Sequence, residues 1–129
     1  MTDPISDMMI RIKNAGISRK EFVSFPYSNL KFEICSLLQK EGYLASVDKK
    51  GKKVSRTVEV GLLYGGNQPK IKEVKRVSKP SRRIYKKAKE IRPVKRGYGI
   101  VVLSTPAGIM SGSAARKASL GGEVLFEIW

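Results

Sequence analysis

Gly99-Ile100-Val101-Val102-Leu103-Ser104-Thr105-Pro106-Ala107-Gly108 is an apolar run that ends on two hydroxyls, a proline and a glycine. A short, continuous apolar run bounded by glycine and turn residues reads as a buried strand. Forward of it, residues 111–120 hold Ala114, Ala115 and Ala118 with two basic residues and stop at Gly121-Gly122. A short helix is expected there, and the residues before it read either as a loop that binds an anion through backbone N–H groups or as an ordinary strand-to-helix turn with Ser111 or Ser113 as cap. Residues 123–129 alternate Val124, Phe126 and Ile128 with other side chains, the pattern of a final strand. Backward of the run, residues 71–77 alternate and read as a strand, residues 78–81 as a loop around Pro80, Ile84 and Tyr85 as a short extended segment, and residues 88–93 as a turn-like piece. The second half of the chain is therefore expected to be mostly β.

The first half has a different period. Pro4 suits a first helical position, with Thr2 or Asp3 as cap, and Ile5, Met8, Met9 and Ile12 form one apolar stripe ending near Gly16. Asp7, Arg11 and Asn14 lie on another face, either solvated or a polar contact surface. Residues 21–25 (Phe22, Val23, Phe25) read as a strand. Residues 28–41 read as a helix with Ser28 as N-cap, a stripe of Leu30, Ile34, Leu37 and Leu38, and Gly42 as its stop. Residues 43–47 and 54–64 read as a hairpin across Lys49-Lys50-Gly51-Lys52. The expected fold class is α+β. An N-terminal α-β-α-β-β subdomain, residues 1–65, packs against a mostly β C-terminal subdomain with a short helix, residues 66–129. The boundary is placed at Gly65-Gly66-Asn67-Gln68-Pro69, where composition also shifts: 11 basic and 7 acidic residues precede it, 15 and 4 follow.

The 129 residues carry 26 Lys and Arg against 11 Asp and Glu, a net charge of +15, and 41% are hydrophobic. A chain this basic repels itself when compact, and a polyanion removes that repulsion and adds counterion release. The hydrophobic share excludes a disordered basic tail. A single cysteine, Cys35, excludes an intrachain disulfide, and its apolar neighbours make it a small core residue. With no histidine and one cysteine, an ordinary structural zinc site is excluded. No apolar run reaches membrane-spanning length, and Met1-Thr2-Asp3-Pro4 lacks the features of a signal peptide. The expected compartment is the cytoplasm, with no cofactor, no membrane partner and no small-molecule substrate.

Residues 70–96 hold 13 basic and 2 acidic side chains. Ile71, Val74, Val77, Ile84, Tyr85, Ile91 and Val94 interrupt them, so the stretch is folded and presents fixed cations to phosphate. Arg82 and Arg83 add forked or stacking contacts, and Tyr85 can stack on an unpaired base. The bland alternatives are a solvated basic face and a core ring with its hydroxyl outside. Ser104 and Thr105 end the buried strand and can donate to phosphate, ribose or base edges. Gly108 lets a backbone approach, but the stretch lacks the Gly-Lys-Ser/Thr ending of a phosphate-binding Walker loop. Catalysis is disfavoured: histidine is missing, carboxylates are sparse, and Ser104 has no base partner other than lysine. A DNA-binding protein would need a recognition helix with exposed basic residues, and both clear helices show apolar stripes and mixed charge.

The run Gly99–Met110 resembles the signature of the eighth small-subunit ribosomal protein, the S-eight family. Asp3-Pro4-Ile5-Ser6-Asp7-Met8 with Arg11-Ile12-Lys13-Asn14, residues 37–44, Arg76-Val77-Ser78-Lys79-Pro80-Ser81-Arg82-Arg83-Ile84-Tyr85, and Ala115-Arg116-Lys117 through Gly121-Gly122-Glu123 resemble further family segments, in order along the whole chain. The resemblance implies a primary 16S rRNA-binding protein. Such a protein binds an irregular helix of the central domain, directs that domain's assembly beside neighbouring small-subunit ribosomal proteins, and in some bacteria represses translation of its own operon mRNA. It implies that the C-terminal half makes most specific contacts, through Ser104, Thr105, Gly122, Glu123 and Tyr85, and that the N-terminal half touches other rRNA. Arg82, Arg83, Lys86 and Lys79 of the basic stretch, with Arg11, Asn14 and Lys31 of the first half, complete the candidate contact set. Glu123 can accept from base amino groups or position a neighbouring donor, or it is an ordinary strand residue. Two departures stand out: Pro106 replaces a serine common in the family, removing a hydroxyl, and Ser111-Gly112 replaces the usual pair after the methionine, at the cap of the following helix.

Overall fold

A computed structural model describes residues 3–94, 97 and 99–129. They fall into two compact units, Pro4–Lys72 on one side and Glu73–Trp129 with Asp3 on the other.

In the first unit, α1 (Pro4–Ile17) buries the expected stripe, Ile5, Met8, Met9 and Ile12, together with Ala15. Thr2, one of the two expected caps, lies outside the described residues. β1 (Phe22–Pro26), α2 (Asn29–Lys40), β2 (Leu44–Lys50) and β3 (Thr57–Leu62) follow, completing the α-β-α-β-β order. The strands form an antiparallel sheet in the order β1-β3-β2. α1 packs on β1 and β3, and α2 on β2 and β3. Val58 and Val60, alternate residues of the central strand, are fully buried, as period-two geometry requires of a half-covered sheet. Ser28 caps α2 by accepting from the Lys31 backbone N–H at 3.1 Å. The buried stripe of α2 is Ile34, Cys35 and Leu38; Leu30, in the first turn, remains 40% exposed. Cys35 Sγ lies 3.7 Å from Met8 Sδ, and burial pushes its thiol up to about 12.

The strand limits differ from the sequence reading in several places: β2 runs on to Lys50, which pairs with Thr57, so Lys49 and Lys50 of the expected turn are strand residues, and β3 ends at Leu62 and not at Tyr64. β3 starts at Thr57 and not at Val54, because residues 52–55 close a turn through Ser55 N–H to Lys52 O at 2.9 Å. The glycine-rich break is itself a small hairpin, β4 (Tyr64–Gly65) paired with β5 (Gln68–Pro69). The composition shift after Gly65 and the division after Lys72 therefore lie on either side of β5.

The second unit is built around β10 (Gly122–Ile128). One edge of β10 pairs with β8 (Ile100–Thr105), which pairs with β9 (Gly108–Ser111); the other edge pairs with β6 (Val74–Arg76) and then with β7 (Tyr85–Lys86), all antiparallel. The expected strand over residues 71–77 is shorter than the alternation suggests, since Ile71 is buried in the first unit. β9 is an additional strand, so the hydroxyl-rich end of β8 opens a hairpin and not a strand-to-helix turn. α3 (Gly112–Lys117) follows, capped by Ser111, whose hydroxyl accepts from Ala114 N–H at 3.2 Å. The departure at Ser111-Gly112 thus keeps a working cap, and Gly112 lets the helix sit directly on Val101 and Leu103. Ile91, Val94, Val101, Leu103, Ala115 and Val124 form one apolar cluster; Val102, Phe126 and Ile128 are also fully buried. Burying a side chain of this size contributes roughly 1.5–3 kcal/mol, so the sheet's middle supplies most of the unit's cohesion.

Candidate nucleic-acid interface

Register brings the sequence-distant candidates together. Tyr85 on β7 stands opposite Glu123 on β10, Glu123 opposite Ser104 on β8, and Ser104 opposite Ile109 on β9. Directly opposed residues of antiparallel strands point to the same face, so the four form a row across the sheet, roughly 14 Å long at ordinary strand spacing. The next residues inward, Val124, Leu103 and Met110, pack with the apolar cluster. A continuous core therefore fixes the row from behind.

Within the row the groups differ in availability. The Tyr85 ring is 68% exposed. The Ser104 hydroxyl is half-buried and makes no hydrogen bond among the described residues. Glu123 Oε2 accepts from Arg83 Nη1 at 3.1 Å; the carboxylate is mostly covered, whereas half of the arginine side chain is open. Such an exposed pair contributes at most about 1 kcal/mol to stability. Its main consequence is to hold the half-exposed guanidinium beside the row. Thr105 is used differently. Its hydroxyl donates to Gly108 O at 2.8 Å and accepts from Ala107 N–H at 3.2 Å, closing the β8–β9 turn. Gly122 is a point of close approach: a Cβ there would overlap the Ser104 carbonyl and come within 3.1 Å of Thr105 Cα.

Three basic residues of this unit, Lys79, Arg82 and Arg83, sit on an excursion from the sheet edge. β10 is irregular between Val124 and Phe126, and the chain from β6 leaves it there. Val77 N–H donates to Leu125 O and Ser78 N–H to Val124 O, and the chain returns where Val124 N–H donates to Ile84 O at 2.8 Å. Lys79 and Arg82 exchange two backbone hydrogen bonds of 2.8 and 2.9 Å across Pro80-Ser81. Ser78, fully buried, closes the base: its hydroxyl accepts from Ile84 N–H at 2.8 Å and donates to Ile84 O at 3.2 Å. Lys79, Arg82 and Arg83 are thereby exposed on a braced turn.

The family model described as Ribosomal protein S8 matches residues 3–129. The chain is 48% identical over its full length to the small ribosomal subunit protein uS8 of Mycoplasmopsis agalactiae, covering 98% of that protein. It is 45% identical to the proteins of the same name from Vesicomyosocius okutanii subsp. Calyptogena okutanii and Dictyoglomus turgidum, again over all of this chain and 98% of theirs. The chain belongs to the ribosomal protein S8 family.

In this S8-family chain the remaining candidates are spread more widely. Lys86 is exposed opposite Gly122. Arg11 and Asn14 are exposed in the first unit, along an open cleft between α1 and β1 that Asp7 and Lys20 also line, and Arg11 Nη1 donates to Ser24 O at 3.3 Å. Lys31, in the first turn of α2, is half-buried with its ammonium 6.0 Å from the Phe25 ring. The long basic stretch is divided between the two units, and not all of it is exposed. Lys70 and Lys72 belong to the first unit. Arg76 makes a two-point ion pair with Asp3 (3.0 and 3.2 Å) and also donates to Leu125 O, so it is not open to phosphate. Lys95 and Arg96 lie outside the described residues. Sequence reasoning missed Ser78; its one clue was a small hydroxyl residue directly before a Lys-Pro turn. Away from the row, a cleft of about 530 Å³ lies between the 91–94 segment and α3, and no carboxylate is among its lining residues.

Proposed function

We propose that this protein is a structural constituent of the small ribosomal subunit that binds 16S rRNA as a primary binder, on an irregular helix of the central domain, and directs that domain's assembly. The row Tyr85–Glu123–Ser104, in register across three strands beside Arg83, carries this reading. It presents a stacking ring, an unengaged hydroxyl and an aimed guanidinium on a rigid sheet, which is what unpaired or splayed bases in an irregular helix can use. The braced turn with Lys79 and Arg82 holds the backbone nearby. Family membership and the +15 charge support the same partner. An operon mRNA that imitates the rRNA helix would bind the same row. The protein works in the cytoplasm, on the ribosome, with neighbouring small-subunit proteins as further partners.

Binding of the full-length chain to a central-domain rRNA fragment, competed with duplex DNA of equal charge, tests this. Strong preference for the rRNA fragment at physiological salt is expected. Equal competition by DNA would reduce the protein to a nonspecific polyanion binder and end the proposal.

A further inference from the structure

The β2–β3 hairpin of the first unit carries a charged surface that the row does not use. Lys49, Lys50, Lys52, Lys53 and Arg56 follow one another with no acid between them; the nearest acids, Asp48 and Glu59, face each other across the hairpin's base. The turn is built. Ser55 N–H donates to Lys52 O at 2.9 Å, and Gly51 takes φ +87° with its Cα tight against Ser55 O, where a Cβ would stand 2.7 Å away. Tyr27 N–H donates to Arg56 O at 3.1 Å. The Lys49 ammonium lies 4.7 Å from the Phe32 ring centre and 5.3 Å from that of Tyr27, which ties the hairpin's stem to the start of α2. Lys50, Lys52 and Lys53 therefore extend from a fixed backbone. At the tip stands Val54, 100% exposed. Turns favour Gly, Pro, Asn, Asp and Ser, each for a backbone reason, and a β-branched apolar side chain has none there.

We infer that residues 49–56 are a second RNA-binding element: Lys50, Lys52 and Lys53 hold phosphates of an rRNA helix while Val54 rests in its minor groove. This rests on the reading of the protein as an rRNA binder. An acidic protein would also attract the lysines. An A-form helix fits better, because its wide, shallow minor groove offers sugar faces to one exposed apolar tip and phosphates to the cations flanking it.

The test compares the full chain with K52Q/K53Q and V54S on two probes, a minimal central-domain helix fragment and the whole small-subunit rRNA transcript. All three proteins should bind the fragment alike, which also shows that the variants fold. On the whole transcript K52Q/K53Q should bind about tenfold more weakly, with the slope of log affinity against log salt shallower by roughly 1.8, about 0.9 per lost phosphate contact. V54S should weaken binding severalfold with the slope unchanged. An iron chelate attached to V54C in a C35A background should cut the transcript at a helix outside the minimal fragment. Unchanged affinity and slope on the whole transcript, or no cut from V54C, overturns the inference. So does unchanged RNA binding with loss only of a neighbouring protein's incorporation, which would make the hairpin a protein surface. Failure of the unaltered chain on both probes removes the rRNA reading itself, a result distinguishable from the others.

Discussion

Adjacent hydroxyls at the end of β8 have separate work. Thr105 uses both its donor and an acceptor inside the β8–β9 turn, while Ser104, one residue earlier and on the row, uses neither among the described residues. Ser104→Ala is therefore expected to weaken binding to the rRNA fragment by about 1–2 kcal/mol, roughly tenfold, with no change in unfolding midpoint. Thr105→Ala should lower stability by about 1 kcal/mol, and its binding loss should follow that destabilisation. Chemical denaturation beside gel-shift titration separates the two; a pure binding defect in Thr105→Ala would show that its hydroxyl turns outward to RNA. Both serine and threonine were visible as candidates in the sequence, but which one is available depended on where Gly108 and Ala107 came to lie. Cys35, which the sequence placed in the core, is fully buried and held protonated by that burial, so it offers no nucleophile.

At the level of elements, β10 organises the second unit by being paired on both edges. Its alternating Val124, Phe126 and Ile128 announced a strand. Its irregularity at Leu125 did not show in the pattern, and that irregularity is where the Lys79–Arg82 excursion leaves and returns. Gly122 keeps β10 close to β8 at the row. Gly122→Ala is expected to cost about 1–3 kcal/mol or more through overpacking against backbone that has no rotamer to change. Thermal unfolding should show the loss, and rRNA binding should fall with it because Glu123 and Ser104 no longer stay in register. Retention of full stability would mean that the strands separate there without cost, against the close approach described above. α2 gives the corresponding lesson for helices: the 3.6-residue period found Ile34 and Leu38, but Leu30, in the helix's first turn, stays open to solvent.

For the whole molecule, the excess positive charge is not spread evenly in function. Lys79 and Arg82 are exposed on a braced turn, whereas Arg76, in the same basic stretch, is 10% exposed and committed to Asp3. Gln substitutions at Lys79 and Arg82 should each reduce the salt slope of rRNA binding by roughly 0.7–0.9 and weaken binding to all sequences about equally. Arg76→Gln should leave the slope unchanged and destabilise the fold by roughly 1.5–3 kcal/mol, since it removes the charge-assisted hydrogen bonds that the guanidinium donates to Asp3 and to Leu125 O. Salt titrations and unfolding curves on the same variants check both; a slope change in Arg76→Gln would put that guanidinium on RNA.

The sequence by itself determined the α+β class, the two clear helices and their buried stripes, the strands of the apolar runs, and the polyanionic partner class. These follow from local periods, turn residues and net charge, which do not depend on what lies far along the chain. Family resemblance, read from ordered motifs, pointed to the residues of the row. Only the tertiary structure decided that Tyr85, Glu123 and Ser104 stand opposite one another, that Glu123 holds Arg83, that Ser78 braces the basic turn, and that Arg76 is withdrawn from it. Apart from the Ser78–Ile84 closure, which spans six residues, each of these rests on strand register or on a hydrogen bond between distant segments, and register is set by packing across the sheet, which no local pattern contains.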